Sequence, residues 1–168
     1  MTTRRVVLVR HAKAAAGEDD HERPLTDRGV RDATEVGRWL ALSGMQADRV
    51  VSSTARRARQ TWDHAATVLD WAPEVLDEHR MYDNTVDALL AIIHETPPEV
   101  GTLVLVGHNP SIGELAAALD DGTGDADSRD ALARSYPTSG VSSFDVPTEW
   151  AGLEPGGAAV TSFVVLRG

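Results

Sequence analysis

Residues 6–11 read Val6-Val7-Leu8-Val9-Arg10-His11, and the reading of the fold starts there. Three of the four apolar residues are β-branched. A run of that kind and length matches a parallel strand buried on both faces. It is too short for a membrane span or the core of a signal peptide, so it predicts a soluble, cytoplasmic chain. The strand stops on a cation and an imidazole, Arg10-His11.

Working outward, strands and helices alternate. A polar loop from Gly17 to Pro24 leads to Thr26, placed to cap a helix running to about Leu42. Val30, Ala33, Val36, Gly37 and Leu40 share one face of that helix, and Ser43-Gly44 closes it. Asp48–Ser52 reads as a second strand, after which Ser53 or Thr54 caps a helix from Ala55 to about Leu69. Val75-Leu76 marks a third strand. Thr85–His94 reads as a helix with Val86, Leu89, Leu90 and Ile93 toward the core. Thr102–Val106 is another buried strand, ending in Gly107-His108-Asn109, and Pro110 opens a helix to about Leu119. Asp120–Asp130 reads as a mobile acidic loop. Ser139–Val146 and Ala158–Leu166 are two late strands with only a Pro/Gly-rich turn between them. The pattern predicts a three-layer α/β/α sandwich with a mostly parallel central sheet and one antiparallel strand.

Composition narrows the function. A chain of 168 residues is the size of one domain. The absence of Cys excludes disulfides, cysteine metal sites and a thiol nucleophile. A net charge of -10 disfavours nucleic acid and anionic membranes as partners. That charge is unevenly spread: residues 1–60 hold 12 of the 16 basic residues but only 8 of the 26 acids. All basic residues but Lys13 are Arg, the side chain suited to multidentate recognition of phosphate or carboxylate.

Ligands in open α/β sheets bind at the carboxyl ends of the strands. Three strands here end in chemically capable residues: Arg10-His11, then Ser52-Ser53 with Arg56-Arg57 one turn on, then Gly107-His108-Asn109. If those strands are neighbours, two histidines and at least two arginines converge. Guanidinium groups repel a metal cation and favour a dianion such as phosphate. A neutral imidazole is a competent nucleophile toward phosphorus, and arginines stabilise charge on a transferring phosphoryl group. A second, protonated histidine can donate to the same oxygens. No step of such chemistry needs a metal or another cofactor.

At these residues the chain resembles the histidine phosphatase superfamily, which includes the phosphoglycerate mutases. Leu8-Val9-Arg10-His11-Ala12 is similar to the family's Arg-His-Gly hallmark, with Ala12 in place of glycine. Arg-His-Ala-Lys looks like the small SixA-type phosphohistidine phosphatase branch. Arg23-Pro24-Leu25-Thr26-Asp27-Arg28-Gly29, Ser52 to Thr61, and Val106-Gly107-His108-Asn109-Pro110 match that branch's further motifs in order. The resemblance spans roughly residues 4 to 118. It implies a single histidine phosphatase domain over 1–168. It also implies His11 as the phosphorylated nucleophile, Arg10 and Arg57 on the phosphoryl group, His108 as the second pocket histidine, and Arg23 as a further phosphate or substrate contact. Larger members use a Glu or Asp as general acid, and Asp77 and Glu78 stand in about the right interval. The implied activity is metal-independent hydrolysis of a phosphoric monoester or phosphoramidate. A phosphohistidine-bearing protein leads as substrate and a small phosphorylated metabolite follows. A catalytically silent phosphate-binding module is the non-enzymatic alternative.

Other candidates carry less. His21, His64, His79 and His94 share no metal-ligand spacing and read as surface or structural residues. Arg56 and Arg59 read as a solvated helix face. Ser111 lacks the Gly-x-Ser-x-Gly frame of a hydrolase nucleophile. The acidic stretch lacks the pattern of an EF-hand loop.

Overall fold

In the computed structural model, which describes residues 3–168, the apolar run extends into strand β1, Arg4–Arg10. Met1 and Thr2 lie outside the described residues. Successive β1 side chains alternate between two cores. Val6 and Leu8 pack with Leu103, Leu105 and Phe144, whereas Val7 and Val9 pack with Val36, Leu40, Val50 and Val104. All four are at most 1% exposed, and full burial of such a side chain contributes on the order of 2 kcal/mol. Burial on both faces is why this run carries no polar alternation.

The other strands are β2 (Arg49–Ser53), β3 (Glu74–Glu78), β4 (Thr102–Gly107), β5 (Gly140–Val146) and β6 (Ala159–Val165). They form one six-stranded sheet in the order β3-β2-β4-β1-β5-β6. The contacts β1–β4, β4–β2 and β2–β3 are parallel. Strand β5 runs against both β1 and β6, so it is the single reversed strand of the sheet. Helices α1 (Asp27–Ser43) and α2 (Arg56–Ala66) cover the Val7/Val9 face. After the short α3 (His79–Tyr82), α4 (Val86–His94) and α5 (Ser111–Leu119) cover the Val6/Leu8 face. Thr26 caps α1 as expected, its hydroxyl accepting the Gly29 N–H at 3.0 Å, and Gly44 ends it in the left-handed region at φ 72°.

Three local expectations need correction. The N-cap of α2 is Ala55, because Ser53 is still the last residue of β2; its Oγ accepts the Ala55 N–H at 3.2 Å from inside the strand. That helix ends at Ala66, where the Thr67 hydroxyl turns back to the His64 carbonyl at 2.6 Å. The acidic stretch 120–130 is half helical: α6 spans Ala126–Arg134. Asp125 caps it by accepting the Ser128 N–H at 3.0 Å, and Asp120 grips Arg129 Nε with both oxygens at 3.0 Å. Asp125 is thus spent on a helix terminus, where a carboxylate complements the dipole.

Candidate active site

Because β4 lies between β1 and β2, the three strand ends identified from sequence are neighbours. Register brings Arg10 opposite Gly107 and Ser52 opposite Val106. The His11 N–H continues the β1–β4 ladder to the Gly107 carbonyl at 3.0 Å. One residue further, the rings of His11 and His108 face each other with centroids 5.1 Å apart. Arg57 comes from the first turn of α2 and Arg23 from the loop before α1. With Arg10 they line a cleft of about 460 Å³, whose wall also includes Asp20, Tyr82, Asn84 and Asn109.

The motif residues around the histidines are fasteners. Ala12 follows His11, and its N–H donates to Thr61 Oγ1 at 3.0 Å; that hydroxyl donates onward to the Arg57 carbonyl at 2.7 Å. One side chain therefore ties the loop after His11 to the helix that carries Arg57. Gln60 Oε1 accepts the Leu25 N–H at 2.9 Å. The Thr26 N–H donates to the Lys13 carbonyl at 2.9 Å. Gly29 lets α1 press on that same carbonyl: a Cβ there would sit 2.1 Å from Lys13 O. Ala12 itself is fully buried against Leu25 and Ala33, a niche that a methyl group fills.

Hydrogen bonding sets the state of the two imidazoles. His11 Nδ1 lies 2.7 Å from the Ala12 carbonyl, which can only accept. Nδ1 therefore carries the proton, and Nε2 keeps its lone pair. Burial, and then the charges of Arg57, Arg10 and Arg23, pull the His11 pKa down to about 4. His108 is lowered to about 3 by burial, by His11 and by Arg57. These shifts leave both rings neutral near pH 7. His108 Nε2 is 2.7 Å from Ser53 Oγ, while its Nδ1 is buried without a partner. Asn109 and Arg10 are anchored together, both donating to the Tyr136 carbonyl at 2.9 and 3.0 Å.

Two carboxylates line the cleft, Asp83 just after α3 and, paired with the arginines, Asp20 at the start of a 3-10 turn, Asp20–Glu22. Its Oδ2 accepts from Tyr82 OH at 2.7 Å and from Arg57 Nη2 at 3.2 Å, and its Oδ1 accepts from Arg23 Nη1 at 3.1 Å. Tyr82 first, then Arg23 and Arg57, hold this carboxyl well below the usual carboxylate range. Asp77 and Glu78 are not brought to the cleft. Both border a separate cavity of about 300 Å³ between β3 and α4. There Glu78 caps α3 through the Arg80 N–H and pairs with the Arg80 side chain at 2.8 Å, contacts that lower its pKa. The sequence reading missed Asp20, Tyr82 and Asn84. Only Asp20 had a signal, its place three residues before Arg23.

No set of three or more His, Asp or Glu side chains among the described residues is grouped to hold a metal ion. No helix among them is long and apolar enough to cross a membrane.

The strand order, the single reversed strand and the facing histidines at the parallel strand ends define a phosphoglycerate mutase-like α/β/α protein. Comparison with known proteins narrows this. The histidine phosphatase superfamily (branch 1) matches residues 6–84. An uncharacterised protein of Mycobacterium tuberculosis is 40% identical over 162 residues, which span 95% of this chain and 100% of that protein. The solved SixA protein of Nakamurella multipartitia is 31% identical, with TM-score 0.88 over 99% of this chain and 98% of that one. A protein histidine phosphatase SixA solved with tungstate shares the fold at 22% identity and TM-score 0.79, over 96% of each chain. The chain belongs to the histidine phosphatase superfamily, in its SixA-type branch, and is a phosphatase.

Proposed function

We propose that the protein hydrolyses its substrate without a metal, through a phosphoryl group carried on His11, and that the substrate is a phosphohistidine-bearing protein. The observation that carries the mechanism is the His11 tautomer: Nδ1–H is committed to the Ala12 carbonyl, so Nε2 is unprotonated and free. Its lone pair attacks phosphorus, an N–P bond forms, and the bond to the leaving group breaks with its electron pair. Arg10, Arg23 and Arg57 stabilise the equatorial oxygens in a site that is already organised. His108, its Nε2 engaged by Ser53, offers Nδ1–H to one of those oxygens. Water then attacks phosphorus, the N–P bond breaks, its pair returns to Nε2, and inorganic phosphate is released.

Leaving-group chemistry favours the phosphoramidate. An alkoxide needs a proton in the transition state. Asp20 is held ionised and both histidines are neutral, so none of these three has an acidic proton to give. An N-phosphoryl imidazole protonated on its other nitrogen leaves as neutral imidazole and needs no acid. The likeness to the Nakamurella SixA protein supports the same reading.

The test is turnover in excess EDTA on a phosphohistidine protein, an aryl phosphate and a sugar phosphate, with a rapid acid-free quench to trap the adduct. Undiminished activity, preference for the phosphohistidine protein, and a base-stable, acid-labile phosphoryl adduct absent from His11→Ala are expected. Turnover in His11→Ala would overturn the covalent mechanism, and preference for the sugar phosphate would overturn the substrate.

A further inference from the structure

Arg57 is nearly buried, yet both of its terminal nitrogens are already taken, and by the same residue. Nη1 donates to the Asp20 main-chain carbonyl at 2.7 Å and Nη2 to the Asp20 carboxylate at 3.2 Å. Arg23 Nη1 and Tyr82 OH donate to the same carboxylate. Three donors from three segments of the chain therefore converge on one anion at the mouth of a phosphoryl site. We propose that the Asp20 carboxylate is a tethered competitor for that site: it occupies the donors of Arg57 and Arg23 at rest, yields them to the substrate phosphoryl group, and returns to them as inorganic phosphate leaves. The inference rests on the reading of the cleft as a phosphoryl site.

The local structure suits a side chain that comes and goes. The Asp20 side chain is 55% exposed, so its carboxylate can rotate into water without uncovering apolar surface. The loop beneath it is pinned independently. Ala14 bridges to Leu25, Arg23 Nε donates to the Ala15 carbonyl at 2.8 Å, and His21 Nε2 lies 3.0 Å from Thr54 Oγ1. Only the carboxylate need move. The main-chain contact to Arg57 can stay and keep the guanidinium aimed at the cleft. A dianion entering beside a retained carboxylate would be repelled, which favours exchange over coexistence. A competitor present in every molecule raises the apparent Kd of any entering anion by the reciprocal of the fraction of time it is absent. The benefit falls on turnover, because a site of three arginines would otherwise hold its own product.

The experiment is calorimetric binding of tungstate, and separately of inorganic phosphate, to the full chain and to Asp20→Asn. The Asn side chain keeps the shape and removes the charge. The expected result is tightening, by about tenfold if the carboxylate is engaged nine-tenths of the time. Tyr82→Phe removes one of the three donors and should tighten both anions by a smaller factor, about twofold to threefold. It also keeps the proposal testable if Asp20→Asn fails to fold. In steady-state assays, Asp20→Asn should lower KM and the inhibition constant of phosphate together, with kcat reduced where phosphate release limits it. Damage to the fold would weaken anion binding, so tightening cannot arise from it. Unchanged or weaker binding in both variants overturns the proposal and makes Asp20 a support for Arg57. If the wild-type chain binds neither anion, and the variants bind neither, the phosphoryl site itself is wrong and both readings fall.

Discussion

Two cavities in this molecule are each built around an arginine gripped by carboxylates, and they do opposite things. Between β3 and α4, Arg80 donates to Glu78 at 2.8 Å and to Glu95 at 2.7 Å, two acids on one cation. The pairing raises the Arg80 pKa, Glu95 contributing first, and leaves no positive charge to offer. At the parallel strand ends, Arg23 and Arg57 share Asp20, Arg10 is held by the Tyr136 carbonyl, and the two histidines beside them are neutral. There the cations are in excess, in a half-enclosed space where their field is poorly screened. The contrast teaches that an Arg–carboxylate contact says little by itself. The sign left over decides whether a cavity is scaffold or anion site.

The largest expected effect separates the two cavities by chemistry. His11→Ala should lower kcat by roughly 10³-fold or more on any substrate, because it removes the proposed attacking nitrogen. Steady-state turnover measures this, and a variant within tenfold of wild type would return the cleft to a binding role. Arg57→Ala should cost roughly 10²- to 10³-fold in kcat/KM, the usual effect of deleting one donor to a transition-state oxyanion. The matching Arg80→Ala should leave kcat/KM within about threefold. It should lower stability by no more than about 1 kcal/mol in urea unfolding, since Arg80 and Glu95 are exposed. Equal losses of activity in the two variants would erase the distinction drawn between the cavities.

The pH response should come from the cleft. His11 has a folded pKa of about 4, against about 6.5 for an unfolded histidine. The depressed value means that the unfolded chain binds the proton first. Stability is then complete above about pH 6.5 and falls as pH drops toward 4, by on the order of 3 kcal/mol for His11. A melting series from pH 7 to pH 4 checks this, and added phosphate should flatten it. The acidic limb of kcat/KM should lie near pH 4 in the free enzyme; a limb near 6.5 would mean that His11 is solvated. The smallest effects belong to the other cavity and to screening. Glu78→Gln should change kcat/KM by less than about twofold. Raising salt from low to moderate ionic strength should weaken a small phosphate substrate only modestly.

The same contrast explains what could be read before folding and what could not. Val6–Val9, Val50-Val51 and Leu103–Val106 advertise buried strands through runs with no polar interruption, and their polar ends announce the site. The fasteners Gly29, Gln60 and Thr61 were visible as motif residues, although their work was not, whereas Thr26 was legible as a cap. Asp77 and Glu78 were candidate acids for the cleft because they stand in about the interval where larger members of the resembled family carry one. Strand β3 is an edge strand, three places from β1, so its end opens on a different cavity. Helix α3 has four residues, too few for any periodicity, and so Tyr82 had no pattern to reveal it.

Chain order alone specified a mostly parallel α/β/α architecture, because burial on both faces leaves a period-free apolar run that only such a sheet accommodates. It also pointed to Arg10-His11, Arg56-Arg57 and His108 near strand ends that share one edge of such a sheet, and the resemblance to the histidine phosphatases singled out Arg57. Tertiary structure decided the charge states, through burial that keeps both imidazoles neutral. It decided which carboxylate stands among the arginines, because hydrogen bonds between residues 20, 23, 57 and 82 depend on how a loop and two helices settle against one edge of the sheet. Proton positions and ion partners are set by distances of 3 to 5 Å between chain segments, which periodicity does not encode.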